Sequence, residues 1–286
     1  MGTYDNCYDI IADVRRDINE YSVSLVQGAD EGAWDNGLIT QKINLSQTFI
    51  YNLLFKRMKH EFRKIVSLTG VDSEYTLPAD FAKIEWFKDE NGLQVYPIGI
   101  QDVTPNGSSK RLYYRKADKL ILDKPGITDT YTLYYRWKPR KIHSGKSTAG
   151  ASSSITFGAE AVGRTDYYNG MVVENITQDW ADEITGYTSA RVATITETAA
   201  KDDYYGLVPE IPEMFHHLIA PRASMLLRAS NPLAQTPVTS AEMSLFNEDL
   251  LETLRAYAGS GEDVDISRVF SDYNVNETRS GIIQLR

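Results

Sequence analysis

Gly145-Lys146-Ser147 matches the last three positions of a phosphate-binding loop, G-x-x-x-x-G-K-[ST], whose backbone N–H groups and lysine cradle phosphates. The position that needs the first glycine holds Arg140, and Ala, Ser and Gly follow instead of an amphipathic helix. A small-residue linker over 144–154, SGKSTAGASSS, is the simpler expectation. His216 and His217 are adjacent, so on a helix they point about 100° apart and cannot share one metal as an i, i+4 pair could. One of them facing a partner subunit fits better than catalysis. His60 and His143 stand alone, and Cys7 is the single cysteine. Asp263-Val264-Asp265 opens like a calcium loop, but Arg268 holds the required glycine position. Lys56, Arg57, Lys59, Arg63 and Lys64 could touch phosphate, yet a solvated helix face with Glu61 explains them equally. No carboxylate pair is singled out for acid–base work. The expectation is no enzyme, no cofactor and no metal.

The chain has 286 residues, 42% hydrophobic and 24% charged, and 18 of them are tyrosines. That size buries a sizeable core, and the tyrosines suit strands and contact surfaces. The net charge of −9 disfavours general binding to a phosphate backbone. No run approaches the roughly 20 apolar residues that span a bilayer, so no membrane partner is expected. The first ten residues lack the basic and apolar blocks of a secretory signal, and a single cysteine suits a reducing compartment.

Helical spacing sets the two ends. Ile10, Ile11, Val14, Ile18, Tyr21 and Leu25 make one apolar face over 5–27. Ile43, Gln47, Ile50, Leu54, Met58, Phe62 and Ile65 make another over 40–67, broken only by Gln47. Near the C-terminus, Pro212 sits at a helix start, and Pro221 should kink that helix or split it. Thr239-Ser240-Ala241-Glu242 is a capping box, with Val238 and Met243 at staple positions, and predicts a helix over 240–258. Met243, Phe246, Leu250, Leu254 and Tyr257 share its apolar face. Between the ends the pattern has period two. Ile84–Phe87 and Leu93–Tyr96 flank a turn ending in Asn91-Gly92, a hairpin signal. Tyr131, Leu133, Tyr135 and Trp137 alternate onto one face of a strand.

These elements predict an α+β fold. N- and C-terminal helices form an antiparallel helical bundle, with a β-rich region and an inserted all-β domain. The expected segments are 1–70 (helices), 71–143 (β-rich, with the hairpin), 144–208 (inserted all-β domain), 209–259 (helices completing the bundle) and 260–286 (extended tail). Leu77, Pro78, Asp80, Phe81 and Trp86 would form the joint between the helical body and the β-rich part.

Four places resemble the portal-associated head–tail adaptors, or connectors, of tailed bacteriophages. They are the two N-terminal helices, Tyr75-Thr76-Leu77-Pro78-Ala79-Asp80-Phe81 with its hairpin, Leu133-Tyr134-Tyr135-Arg136-Trp137-Lys138-Pro139, and Ile211-Pro212-Glu213-Met214-Phe215-His216. Tyr167-Tyr168-Asn169-Gly170-Met171-Val172-Val173 is similar to β-insertions of phage structural proteins. The resemblance implies a structural virion protein at the head–tail junction, assembled in the host cytoplasm. Its copies would form a ring, a dodecamer of about twelve subunits closed by symmetry. Its partners would be itself, the portal, the tail or next connector, and double-stranded DNA that passes through the channel without specific binding. Val269, Phe270, Ile282, Ile283 and Leu285 of the tail would order on the portal. Other readings are a tail terminator, stopper or receptor-facing tail protein. A carbohydrate-binding or hydrolytic module is another, with Tyr167, Tyr168, Trp180 and Tyr187 stacking on sugars.

Overall fold

A computed structural model describes residues 5–20, 34–57, 62–70, 73–98, 112–123, 129–230 and 237–258. The fold is α+β, and it divides into two compact units: residues 1–54 with 139–286, and residues 55–138.

The smaller unit is built on two sheets. Strands β1 (Arg63–Thr69), β7 (Thr130–Trp137) and β3 (Phe81–Lys88) form one, in the order β1-β7-β3. Strands β2 (Glu74–Thr76), β6 (Lys119–Leu122), β5 (Leu112–Lys116) and β4 (Tyr96–Pro97) form the other. All pairs are antiparallel except β4 with β5. The alternation read in 131–137 is correct, since Tyr131, Leu133, Tyr135 and Trp137 are all buried. Phe87 stacks on Tyr131 and meets Tyr113 edge-on, while Tyr75 meets Tyr131 edge-on, so rings from both sheets share one core. The hairpin also forms. The Asp89 carboxylate accepts from Asn91 N and Leu93 N, and Gly92 takes the left-handed φ of +76° that its turn requires. Its second arm soon leaves the first sheet, because Tyr96 and Pro97 pair with β5 instead.

The long second helix is shorter than its periodicity suggested. Helix α2 spans Asn36–Arg57, and Arg63–Thr69 is the strand β1. Ile65 and Val66 are β-branched neighbours and favour the extended chain, which pairs residue by residue with β7. Phe62 is buried at the turn before β1, but Ile65 is 62% exposed, so the supposed stripe ends early. Met58 lies outside the described residues.

The larger unit holds the helices and two further sheets. Helix α1 (Cys7–Asp17) is capped by Asn6, whose Oδ1 accepts from Tyr8 N and Asp9 N. Its apolar side, Cys7, Ile10, Ile11 and Val14, is buried, and residues 21–27 of the predicted helix lie outside the described residues. At its far end Arg15, 1% exposed, donates to Asn36 Oδ1 and Trp34 O, tying α1 to the start of α2. As expected, the chain around Pro221 is split: a 3₁₀ helix, Glu213–Leu218, runs directly into helix α3 (Ile219–Ser230), with Pro221 in the first turn of α3. Helix α1 packs on α3, with Ser224 Oγ donating to Asp17 Oδ2 at 3.0 Å, so helices from the two ends of the sequence do meet. Helix α4 (Ser240–Ala258) starts at the predicted capping box, Glu242 N donating to Thr239 Oγ1 and Thr239 N to Glu242 Oε2. Phe246, Leu250 and Leu254 are buried as predicted, but Met243 is 37% exposed.

Residues 144–154 are not a linker. They form β8 (Ser144–Lys146), β9 (Ala149–Ala151) and the start of β10 (Ser154–Thr156). The small residues reflect close approach rather than flexibility: a Cβ on Gly145 would collide with the Glu160 carboxylate. Ser147 is buried, its Oγ donating to Ala200 O and accepting from Asp203 N. Strands β11 (Val172–Asn175), β12 (Trp180–Glu183) and β15 (Tyr204–Leu207) join β8 in the order β12-β11-β15-β8. Strands β13 (Gly186–Tyr187) and β14 (Val192–Thr194) join β10 and β9 in the order β13-β14-β10-β9. Helix α1 lies against the first of these sheets. A Cβ on Gly206 would strike the Asn6 side chain, and Asn6 Nδ2 donates to Glu174 Oε2 at 2.7 Å.

Gln47, the polar break in the α2 stripe, is 1% exposed and fully used. Its Nε2 donates to Arg140 O at 2.9 Å, and its Oε1 accepts from Glu210 N at 3.1 Å. Gln47→Leu leaves two buried backbone groups unpaired and is expected to cost about 2–4 kcal/mol in a urea melt. Ile50→Leu on the same face should cost less than about 1.5 kcal/mol. Equal losses would show that Gln47 is a mere interruption.

Candidate functional site

Each sequence that suggested chemistry has a structural place. Gly145 and Ser147 are buried in and beside β8, and Lys146 pairs with Asp202 at 3.3 Å, so this segment presents no phosphate cradle. His216 is buried, with its Nε2 donating to Ile211 O at 2.8 Å, and burial lowers its pKa. His217 is half exposed, 3.5 Å from Asp249. The pair thus faces two different surroundings. Among the described residues no group of three or more His, Cys, Asp or Glu could hold a metal ion. Asp263, Asp265 and the tail residues Val269, Phe270, Ile282, Ile283 and Leu285 lie outside the described residues.

A cavity of about 430 Å³ opens within the larger unit beside α2, lined among others by Asn44, Gln47, Arg140, His143, Glu160 and Tyr168. Its wall is the returning segment 139–143, which forms no strand and takes most of its hydrogen bonds from side chains, the carbonyl of His143 alone accepting from a strand N–H, that of Leu207. Asn44 donates to Ile142 O and accepts from Ile142 N, at 2.9 and 2.8 Å. Arg140, 7% exposed, donates to both Glu210 carboxylate oxygens and to the carbonyls of Tyr167 and Asn169.

Behind the wall, Tyr205 Oη donates to Glu160 Oε1 at 2.9 Å and lies 3.5 Å from His143 Nδ1. This sequence of groups has the ingredients of a proton relay, but Tyr205 is fully buried and His143 is 4% exposed. Burial holds the Tyr205 phenol well above its usual range and pushes His143 down to about 3. Phe157, Tyr168 and Tyr205 pack around the imidazole at ring distances of 5.2 to 5.5 Å. The network is part of the core. The same burial corrects the sugar-stacking expectation: Tyr168 and Tyr187 are core residues. Tyr167 Oη accepts from Lys141 N, and Trp180 Nε1 donates to Thr198 O.

The smaller unit holds the five residues expected at a joint. Leu77 is buried, with its N–H donating to Asp118 O. Pro78 O accepts from Phe81 N, closing a tight turn. Asp80 is buried yet paired, with Lys64 Nζ at 2.6 Å and Tyr135 Oη at 2.9 Å. Phe81 stacks on Tyr135 inside the unit. Trp86 faces the other way and is 39% exposed.

That outer face of the β1-β7-β3 sheet has a distinct make-up. Trp86 meets Tyr134 edge-on, Ile65 pairs with Tyr134 from β1, and Arg63 lies 4.6 Å over the Trp86 ring. Arg63 and Arg136 both donate to the Glu85 carboxylate, and Lys88 Nζ lies 5.0 Å from the Tyr134 ring. Sequence reading missed this face because Arg63, Lys64 and Ile65 were placed on a helix. The signal was present: Lys64, Val66 and Leu68 alternate with Arg63, Ile65 and Ser67.

The sequence model of the SU10 adaptor protein family matches residues 5–158, more than half of the chain. The chain belongs to that family. The match runs from the cap of α1, through α2 and all of the smaller unit, to just past β10. No curated protein matches the chain. This is a bacteriophage head–tail adaptor family, so the chain is a phage structural protein whose kind works with other head and tail proteins. Among the described residues, no helix of this adaptor is long and apolar enough to cross a membrane.

The buried imidazole gives a pH prediction. A depressed His143 pKa stabilises the fold above the unfolded value of about 6.5, and this stability is lost as pH falls towards about 3. Each pH unit in that window is worth about 1.4 kcal/mol. Asp9 acts with the opposite sign. Burial and the nearby Glu174 raise it to about 6, so its contribution is lost as pH rises from about 4 to about 6. His143→Phe should therefore flatten the fall in Tm between pH 6.5 and 4.5. An unchanged acid slope would contradict the assignment.

Proposed function

We propose that this adaptor forms a ring at the head–tail junction, between the portal and the tail or next connector, and lines the passage for the genome. The carrying observation is the SU10 adaptor match across 5–158. The net charge of −9 supports it physically, since a channel should repel phosphates so that DNA slides through. A ring of about twelve copies, closed by a repeated heterologous contact, suits such a passage. The apolar residues Val269, Phe270, Ile282, Ile283 and Leu285 of segment 260–286 bind the portal, and the role is structural rather than catalytic.

Suppressing this chain during phage growth should yield DNA-filled heads and separate tails by electron microscopy, with nothing joining them. Complete virions without the chain would refute the reading. Deleting residues 260–286 should leave the Tm within about 1 °C while abolishing docking to purified portal. Unchanged docking would remove the tail from the mechanism.

A further inference from the structure

Charge is divided unevenly along the chain. Residues 55–138 carry 15 Lys and Arg against 11 Asp and Glu, a net of +4, while the rest carries 15 against 28, a net of −13. On the smaller unit, the outer face of the β1-β7-β3 sheet carries Arg63, Lys83, Lys88 and Arg136, with Glu85 held by the two arginines. At its centre are Ile65, 62% exposed, and Trp86. Exposed Trp and Ile ringed by cations have the composition of a protein-binding surface.

The local geometry argues against nucleic acid here. Base stacking needs open rings, but Arg63 covers Trp86 and Lys88 covers Tyr134. Phosphate contacts need free guanidiniums, but those of Arg63 and Arg136 are held by Glu85. The free valence of the face is apolar surface plus lysine charge.

A complementary surface exists on the other unit. The outward side of α4, opposite buried Phe246, Leu250 and Leu254, carries Leu245 at i, Glu248 at i+3 and Glu252 at i+7. Leu245 is 66% exposed, and among the described residues Lys83, Glu248 and Glu252 make no ion pair. A helix about 10 Å across matches the width of three strands spaced at about 4.8 Å. We propose that the α4 ridge of one copy docks on the β1-β7-β3 face of a second copy, Leu245 against Ile65 and Trp86, Glu248 and Glu252 against Lys83 and Lys88. Two different patches meet, so the contact is heterologous and propagates to a closed ring or a filament. The inference rests on the adaptor reading only for its setting in the virion.

The test is sedimentation of the full chain at low salt, where exposed charges are least screened. Wild type should show concentration-dependent mass above the monomer, weakening as salt is added. Lys83→Glu with Lys88→Glu, and separately Glu248→Lys with Glu252→Lys, should each weaken self-association about ten-fold or more. Circular dichroism checks that these surface variants fold, and Ile65→Asp gives an independent disruption of the same face. An equimolar mixture of the two charge-reversed proteins restores both contacts and should regain association. Monomer at all concentrations to about 0.5 mM, or charge-reversed chains that associate like wild type, overturns the proposal. So does loss of oligonucleotide binding, rather than of self-association, as the effect of the lysine changes. If the contact fails while the chain is still needed to join heads to tails, the adaptor reading stands; the converse result removes only that reading.

Discussion

The larger unit is closed by one buried ion pair and the amide beside it. The chain leaves that unit after Leu54 and re-enters at Pro139. On re-entry it must satisfy a run of backbone groups without a neighbouring strand. Arg140 and Glu210 make this possible. The guanidinium reaches both carboxylate oxygens and two loop carbonyls, while Gln47 takes the backbone of both residues. A buried charge pair is seldom stabilising by itself, but removing one partner strands the other at about 3–5 kcal/mol. Its value is specificity: it fixes which part of α2, which loop and which entry to the C-terminal helices lie together.

From that anchor, the apolar elements fall into place. Asn44 holds Ile142, and His143 continues into the aromatic cluster of the two sheets over 144–207. Asn6 caps α1 and bonds to Glu174, so the N-terminal helix is seated on the same β-structure. The smaller unit is organised differently. Its core is a stack of rings, Tyr75, Phe87, Tyr113 and Tyr131, and its buried carboxylate clamp, Asp80, is neutralised by Lys64.

Elements with a strong local signal were legible in the sequence. The alternation of Tyr131 to Trp137, the Asn91-Gly92 turn, the Thr239–Glu242 box and the break near Pro221 depend on a few neighbouring residues, and each stands where it was expected. Three readings failed for one common reason. Ile65 continued a helical period by coincidence, 144–154 looked like a linker, and Gln47 looked like a flaw. In each, the deciding partner is far away in sequence: Tyr134, Glu160 and Arg140. The outer face of the β1-β7-β3 sheet was hidden likewise, because its residues come from three strands that the sequence keeps apart.

The single cysteine adds a consequence of its own. Cys7 is fully buried in the first turn of α1, and burial pushes its thiol up to about 12. The thiolate is the reactive form, so in the closed fold the sulfur is chemically silent. Alkylation can proceed only when α1 lifts from its seat. The chain therefore contains its own clock: the rate at which a thiol reagent consumes Cys7 measures how often the N-terminal helix opens.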